Sequence, residues 1–265
     1  MDKTFLFAFL ITLFAGLSTG VGSLIAFIAK TTSKKFLSFS LGLSAGVMIY
    51  ISFIEIFPSA KLLFMEEASL IMANVYTPLF FFMGIAIIAI IDKLVPAVEN
   101  PHEMRSVEDI PRKPTKKKLM RVGLMTAVAI TIHNFPEGMA VFATSYNDIT
   151  LGLPIAVAIA IHNIPEGIAV SVPIYHATGS KKKAFVYSFL SGLAEPLGAV
   201  IGYLILIPIM SSFVMGVLLA SVAGIMVYIS LDELLPAARE FGWHHISIYG
   251  LIVGMMVMAV SLILM

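Results

Sequence analysis

The 265-residue sequence has no cysteine, a single tryptophan and few charged residues. Without cysteine, the chain can form neither disulfides nor thiolate metal sites. Charged residues make up 12% of it, against about a quarter in a typical soluble domain. Hydrophobic residues make up 59%, and the net charge of +1 carries no sign of nucleic-acid binding. With a mean hydropathy of +0.98, this is the composition of an integral membrane protein whose main solvent is the lipid bilayer.

Apolar runs long enough to cross a bilayer recur along the whole chain. They predict eight transmembrane helices, numbered 1 to 8, at residues 4–29, 36–60, 76–98, 119–145, 150–175, 184–209, 213–237 and 246–265. We therefore expect an all-α integral membrane protein, with one transmembrane domain over residues 1–265. The only long polar segment, residues 99–118 between helices 3 and 4, is expected to be a flexible loop.

Lysine and arginine are distributed unevenly between the two sides of this arrangement. The connections after helices 1, 3, 5 and 7 carry nearly all of them, whereas the opposite side has only Lys3 and Lys61. Basic residues concentrate in cytoplasmic loops. The sequence therefore predicts cytoplasmic basic loops, including residues 99–118, and places both termini outside.

A second pattern relates helix 2 to helix 7. Residues 45–60 and residues 223–238 match at most positions with a constant offset of 178. Helices 2 and 7 are five apart in the count, and an odd separation means that they cross the membrane in opposite directions. We therefore predict an inverted 3+2+3 repeat, in which helices 1–3 correspond to helices 6–8 and helices 4 and 5 pair at the centre. Such repeats are typical of secondary transporters.

Two six-residue segments in the middle of the chain nearly repeat each other. They read HNFPEG at residues 133–138 and HNIPEG at residues 162–167, each inside a long apolar run, and a third run carries Glu195. A carboxylate at the centre of a membrane helix costs roughly 3 kcal/mol. No lysine or arginine lies deep in these runs to neutralise it. The missing positive charge indicates a bound metal ion or a proton.

In each motif, the histidine and glutamate are four residues apart and the asparagine and glutamate three, so all three share one helix face. The proline removes a backbone donor and frees a carbonyl oxygen one turn earlier. Because the two predicted helices are antiparallel, the two sets face each other at similar depth. The candidate metal ligands are His133, Asn134, Glu137, His162, Asn163, Glu166 and Glu195.

These ligand types suit Zn²⁺, Fe²⁺, Mn²⁺ and Co²⁺, and the absence of thiolates argues against a Cu(I) site. Seven groups exceed the four ligands of a closed zinc site. They fit either a binuclear site bridged by Glu137 and Glu166 or one ion with a mobile ligand set. The alternative is that the polar groups only hydrogen-bond to each other between helices. Three carboxylates make this less favourable, because ionised carboxylates cannot donate.

A few residues outside the motifs are weaker candidates. Met48 is a candidate soft ligand, although packing is the more common role of a buried methionine. Glu55, toward the outer end of helix 2, is a candidate for guiding cations inward. Asp232 and Glu233, toward the inner end of helix 7, form a candidate exit path together with His176. The alternative for these acidic residues is that they are ordinary solvated residues at helix ends.

The two H-N-x-P-E-G motifs, the segment SGLAEPLGA around Glu195 and the eight-helix outline resemble the ZIP (Zrt/Irt-like) family, and its prokaryotic ZupT-type branch most closely. The resemblance covers nearly the whole chain. It implies that the seven candidate ligands form a transport site and that Met48 falls near a ligand position of some members. It also implies two bundles, helices 1, 4, 5 and 6 against 2, 3, 7 and 8, and a possible homodimer. The long loop departs from many members, since its only histidine is His102.

The leading hypothesis is a transporter, not an enzyme, that imports divalent metal across the cell membrane. Zn²⁺ is the first candidate, followed by Fe²⁺, Mn²⁺, Co²⁺ and Cd²⁺, each as a substrate rather than a cofactor. One alternative is a membrane-embedded metallohydrolase with a glutamate as general base. It has suitable ligands but lacks an H-E-x-x-H motif. The other alternative is a sensor that binds metal without moving it.

Overall fold

The computed structural model describes residues 3–28, 34–94, 116–240 and 244–264, in which every regular element is helical. The numbering of helices 1 to 8 is kept. Helices 1, 3, 4, 5 and 8 are continuous and span, in that order, Lys3–Ile28, Leu70–Leu94, Lys116–Asn147, Ile149–Thr178 and His244–Leu264. The remaining three helices are interrupted, and each interruption lies within the membrane-spanning stretch.

Helices 2 and 7 contain matching irregular turns. In helix 2, a π-helical turn at Ser52–Ile56 joins the segments Lys34–Ile51 and Phe57–Glu67. In helix 7, a π-helical turn at Ser230–Leu234 joins the segments Ser212–Ile229 and Leu235–Glu240. A π turn inserts an extra residue into an α-helix and is frequent at functional sites.

Helix 6 breaks differently, at a single residue. Its segments Lys181–Gly192 and Ala194–Ile205 meet at Leu193, and a short 3₁₀ turn at Ile207–Ile209 follows the second segment. Glu195 therefore falls in the first turn of a new helical segment. The partial positive charge of a helix N-terminus favours an acidic group at this position.

Seven of the described helices are long and apolar enough to cross a membrane. Helix 4 is not among them, because it begins with three lysines and carries the first polar motif. It is nevertheless 32 residues long, and residues 140–145 are all buried. The polar groups of helix 4 therefore face neighbouring helices rather than lipid.

Two predicted boundaries were wrong. Helix 2 continues to Glu67 and helix 3 begins at Leu70, so residues 61–75, between the predicted spans 36–60 and 76–98, are helical except at Ala68 and Ser69. Pro58 lies in the first turn of the second segment of helix 2, directly after the π turn. Residues 116–118 belong to helix 4, while the rest of the predicted 99–118 loop lies outside the described residues.

Contacts between helices divide the described structure into two groups. Helices 1, 4, 5 and 6 pack mainly on one another, as do helices 2, 3, 7 and 8. The groups meet chiefly where helix 2 contacts helix 5 and where helix 4 contacts helix 7. This is the division that the family resemblance implied, and it puts both motifs beside the boundary between the groups.

Candidate metal site

The seven predicted ligands are all buried, on helices 4, 5 and 6 of the group formed by helices 1, 4, 5 and 6. None of them is more than 1% exposed: His133, Asn134, Glu137, His162, Asn163, Glu166 and Glu195. Helix 4 supplies the first motif, helix 5 the second and helix 6 the last glutamate. Pro136 and Pro165 lie inside their helices without ending them. Such internal prolines are tolerated where other polar groups satisfy the freed carbonyls.

The histidines pair with glutamates of the opposite motif. The His133 Nε2 atom lies 3.3 Å from both carboxylate oxygens of Glu166. The His162 Nε2 atom lies 3.4 Å from Glu137 Oε2. Each pair joins helix 4 to helix 5, so neither motif forms the site alone.

Glu195 is held by both motif copies. Its Oε1 atom accepts a hydrogen bond from Asn163 Nδ2, which also donates to the Ala15 carbonyl at 2.9 Å. On the other side, a Cβ atom added to Gly138 would lie 2.2 Å from the Glu195 carbonyl oxygen, so the backbones of helices 4 and 6 touch at this glycine. The position of Glu195 therefore depends on helices 1, 4 and 5 together.

Several buried polar atoms of the site have no protein partner in the described structure. They are the Nδ1 atoms of His133 and His162, both amide atoms of Asn134, Asn163 Oδ1, Glu137 Oε1 and Glu195 Oε2. Each buried atom without a partner costs about 1–3 kcal/mol. Their donor chemistry, nitrogen and oxygen without sulfur, fits a borderline divalent cation.

The paired arrangement is not a preformed coordination shell. Among the described residues, no three His, Asp or Glu side chains converge closely enough to hold a metal ion. The imidazoles and carboxylates are instead engaged with each other. An ion bound by these side chains would have to replace the crossed hydrogen bonds with coordination bonds.

Met48 is fully buried in the main hydrophobic cluster, to which both helix groups contribute. The neighbouring turn of helix 2 contacts the motif on helix 5, where Ser44 Oγ donates to the His162 carbonyl at 3.3 Å. Residues four apart share a helix face, so Met48 lies one turn beyond this contact. Met48 is thus buried among apolar side chains one turn from this contact, and its role as a soft ligand stays a prediction.

Glu233 lies deeper than its sequence position suggested. It is only 9% exposed, in the π turn of helix 7, and is close enough to His133 for their charges to interact. Asp232 accepts a hydrogen bond from the Tyr228 hydroxyl, and Asp92 of helix 3 acts on the same hydroxyl through its charge. Sequence reasoning missed Asp92, which lies near the C-terminal end of helix 3.

The structure does not bring His176 to this acidic group. His176 is exposed in the last turn of helix 5, and its ring contacts Tyr175. Glu55 is half-buried in the π turn of helix 2. Glu55, Asp232 and Glu233 therefore occupy the two irregular turns, and His176 lies on a different helix.

Comparison with known proteins decides the family. The family model described as "ZIP Zinc transporter" matches residues 93–262. The chain belongs to the ZIP family. It is 62% identical over 264 residues to the zinc transporter ZupT of Streptococcus mutans, which covers 100% of this chain and 99% of that protein. It is 58% identical to the ZupT of Clostridium perfringens, with 98% and 96% covered, and 57% identical to that of Nitratidesulfovibrio vulgaris, with 99% and 98% covered.

Membership of this family makes the chain a multi-pass membrane transporter for divalent metal rather than an enzyme. The hydrolase alternative is thereby wrong, and the buried glutamates need no role as general bases. The metal ion is the transported substrate, not a cofactor.

Proposed function

We propose that this ZIP-family protein imports Zn²⁺ into the cytoplasm through the site formed by the two motifs and Glu195. The observation that carries the proposal is the pair of crossed contacts, His133 with Glu166 and His162 with Glu137. They place two imidazoles and two carboxylates between antiparallel helices, and a third carboxylate lies beside them. Fe²⁺, Mn²⁺, Co²⁺ and Cd²⁺ are further candidate substrates because the same oxygen and nitrogen ligands accept them.

The charges set how many ions the site can hold. Three ionised carboxylates exceed the charge of one divalent ion, so one ion leaves a net negative site and two leave it positive. Carboxylates can bridge two adjacent ions, and Glu137 and Glu166 face each other's histidines. We therefore propose one tightly bound ion, with a second bridged by Glu137 and Glu166 when the metal concentration is high.

The path across the membrane follows the carboxylates on the irregular turns. Glu55 stands on the outer side of the site, and Glu233 and Asp232 stand on the inner side with Asp92. Exposed or half-buried carboxylates attract a cation without enclosing it. His176, in the last turn of helix 5, is proposed to act only near the cytoplasmic exit.

The irregular turns also support the inverted 3+2+3 repeat over eight transmembrane helices. The two π turns begin at Ser52 and Ser230, which are separated by the repeat offset. Ser52 Oγ donates to the Met48 carbonyl at 2.6 Å, and Ser230 Oγ donates to the Met226 carbonyl at 2.7 Å. Equivalent hydrogen bonds at equivalent positions are expected of two copies of one ancestral unit.

The proposed orientation has both termini outside and the basic loops in the cytoplasm, as the lysine and arginine distribution favours. A homodimer is proposed from the family resemblance alone. Chemical cross-linking of the purified protein in nanodiscs tests it, because only a dimer yields a band of twice the monomer mass.

Uptake into proteoliposomes tests the function. The wild-type protein is expected to accumulate Zn²⁺, and Glu137→Ala and Glu166→Ala are each expected to abolish accumulation, because the ion loses both a ligand and charge balance. His245→Ala is the matched control, since His245 is exposed at the start of helix 8. No accumulation by the wild type, or normal accumulation by either glutamate variant, overturns the proposal.

A further inference from the structure

One buried serine links the two helix groups at the level of the second motif. Ser44 of helix 2 is fully buried, and its Oγ atom donates to the His162 carbonyl oxygen of helix 5 at 3.3 Å. Helix 2 packs mainly in one group and helix 5 in the other. Because the acceptor is a backbone atom, the hydroxyl holds the helix that carries the imidazole and leaves the imidazole itself free to bind.

Helix 2 presents Ser44 from a rigid support. A Cβ atom at Gly42 would lie 2.1 Å from the Ser247 carbonyl oxygen, and one at Gly46 would lie 2.0 Å from the Leu251 carbonyl oxygen. The backbones of helices 2 and 8 are therefore in direct contact at both glycines. Ser44 lies midway between these glycines in sequence, about 200° round the helix from each, so its side chain leaves the opposite face.

Helix 5 is supported in the same way by helix 1. A Cβ atom at Gly22 would lie 1.9 Å from the Ile164 carbonyl oxygen, and one at Gly167 would lie 1.9 Å from the Thr19 carbonyl oxygen. Helices 1 and 5 are thus in backbone contact within one turn after His162. Since each helix is fixed to its own group, the hydrogen bond from helix 2 joins two firmly supported helices.

The site beside this hydrogen bond is closed. None of the seven predicted ligands, His162 included, is more than 1% exposed. An ion can enter or leave only when the surrounding helices open. A hydrogen bond that holds helix 2 against helix 5 opposes every opening in which these two helices separate. The net contribution of a typical intramolecular hydrogen bond corresponds to about 2–10-fold in such an equilibrium.

We propose that Ser44 is a positioning residue that keeps the transport site closed by holding the His162 backbone against helix 2. The assignment rests on the proposed transport function and adds a residue that controls access to the site without binding the ion. The helices must open for an ion to enter and again for it to leave, so the hydrogen bond slows both steps. Removing the hydroxyl should therefore raise both rates and leave the equilibrium affinity nearly unchanged.

Zn²⁺ exchange kinetics test this assignment on the full chain in detergent. Stopped-flow mixing with a Zn²⁺-responsive dye measures release into excess dye and capture of free Zn²⁺ in competition with the dye. Ser44→Ala is expected to raise both rate constants about 2–10-fold and to change the affinity less than about 2-fold. Ser247→Ala is the matched control, because Ser247 is also fully buried but donates to the His244 carbonyl of its own helix at 2.7 Å. It should leave both rate constants unchanged.

Two kinetic results would overturn the assignment. Unchanged rate constants in Ser44→Ala would show that the hydrogen bond does not restrain the site. A weaker affinity caused by faster release alone would show that Ser44 shapes the bound site rather than access to it.

Hydrogen exchange of the helix 5 backbone gives a test that needs no metal. Buried amides exchange through local opening, so deuterium uptake by peptides covering residues 158–170 reports how often this part of helix 5 opens. Ser44→Ala is expected to speed this exchange about 2–10-fold, and Ser247→Ala to leave it unchanged. Equal exchange in Ser44→Ala and the wild type would refute the role of Ser44.

The two tests separate the role of Ser44 from the transport function. If the wild type accumulates no Zn²⁺ in proteoliposomes but exchange in helix 5 responds to Ser44→Ala, the transport function is wrong and the closing role of Ser44 stands. If the wild type accumulates Zn²⁺ and neither exchange nor kinetics responds, only the role of Ser44 is wrong.

Discussion

The His133 Nε2 atom lies 3.3 Å from both oxygens of Glu166, although the two residues belong to different copies of the motif. His162 and Glu137 repeat the relationship in the opposite sense at 3.4 Å. Each imidazole is therefore stabilised by the helix on which it does not lie. In the proposed function, a metal ion competes with the crossed hydrogen bonds for the same atoms, so binding and release would both require helices 4 and 5 to adjust together.

Metal affinity should fall as the pH falls. A histidine must be deprotonated at its ligating nitrogen to bind, so protons compete with the ion. Free histidine titrates near 6.5. We expect Zn²⁺ affinity to weaken progressively between about pH 7.5 and pH 5. Zn²⁺ titrations of the purified protein at several pH values measure this, with His245→Ala as the control that keeps the same dependence. A flat profile would contradict imidazole ligation.

Labelling of introduced cysteines should report the orientation directly, because the natural chain contains none. Asn147, at the end of helix 4, and Lys182, at the start of helix 6, are both exposed and lie at opposite ends of helix 5. In intact cells, an impermeant maleimide is expected to label Asn147→Cys and to reach Lys182→Cys only after permeabilisation. The opposite pattern would invert the proposed orientation.

Two glycines on helix 6 should differ sharply in their tolerance of alanine. A Cβ atom at Gly198 would lie 2.2 Å from the Phe135 carbonyl oxygen, whereas one at Gly202 would lie 3.5 Å from Met139. Gly198→Ala must push helix 6 away from helix 4, and such overpacking costs about 1–3 kcal/mol. We expect a lower thermal unfolding temperature for Gly198→Ala and little change for Gly202→Ala. Equal unfolding temperatures would show that helices 4 and 6 are not in backbone contact.

Asp148 caps helix 5 outside the membrane-spanning segments. Its Oδ1 atom accepts from the Thr150 hydroxyl at 2.7 Å and from the Thr150 amide at 2.8 Å, and these hydrogen bonds hold the pKa of the carboxyl below its usual value of 3.8. A carboxyl with a lowered folded-state pKa adds stability above its unfolded pKa and loses it as pH falls through the folded value. Asp148→Ala should cost about 1 kcal/mol, evenly from about pH 5 to 8.

Thermal unfolding across that pH range measures the Asp148 contribution. Asp148→Asn is the matched control, because asparagine also caps helices well. It should retain most of the stability. A difference between wild type and Asp148→Ala that grows from pH 5 to pH 8 would show that another titrating group is involved.

The two acidic residues on helix 7 should differ in their effects on Zn²⁺ turnover and on Zn²⁺ affinity. Asp232 is half-buried beside Tyr228, whereas Glu233 is nearly buried and its charge reaches His133. Asp232→Asn is therefore expected to slow turnover and leave Zn²⁺ affinity unchanged. Glu233→Gln is expected to weaken both, because it removes negative charge near the central site. Uptake rates and equilibrium binding distinguish these effects, and normal turnover in both variants would remove helix 7 from the exit path.

The sequence predicted which seven polar side chains are buried together, because the spacing within each motif fixes a shared helix face, and their role as metal ligands stays a prediction. It also predicted the helices, because a helix that crosses the bilayer needs a long apolar run, and such runs are visible in the hydropathy of the sequence. It could not predict which imidazole meets which carboxylate, since that depends on how helices 4 and 5 are offset along their axes. Nor could it predict the hydrogen bond between Asn163 and the Ala15 carbonyl. Every residue has a backbone carbonyl, so residue identity does not show which one accepts.

Helix ends were less predictable than helix centres. The boundary between helices 2 and 3 was missed because the residues after Pro58 are good helix formers of moderate hydropathy, which a search for membrane-spanning runs passes over. Asp92 was missed for a related reason. A single acidic residue at a helix end forms no pattern in the sequence, and its relation to helix 7 appears only in the structure. The π turns could not be predicted, because one additional residue in a helix changes its geometry without changing the composition of the run.

The paired π turns also bear on the history of the chain. A π turn arises when one residue is inserted into an α-helix. Independent insertions at corresponding points of two helices, each beginning with a serine that binds a methionine carbonyl, would require the same rare event twice. Under the proposed 3+2+3 repeat, a single insertion in an ancestral three-helix unit, followed by duplication in the opposite membrane orientation, requires it once. The irregular turn would then be older than the full-length transporter.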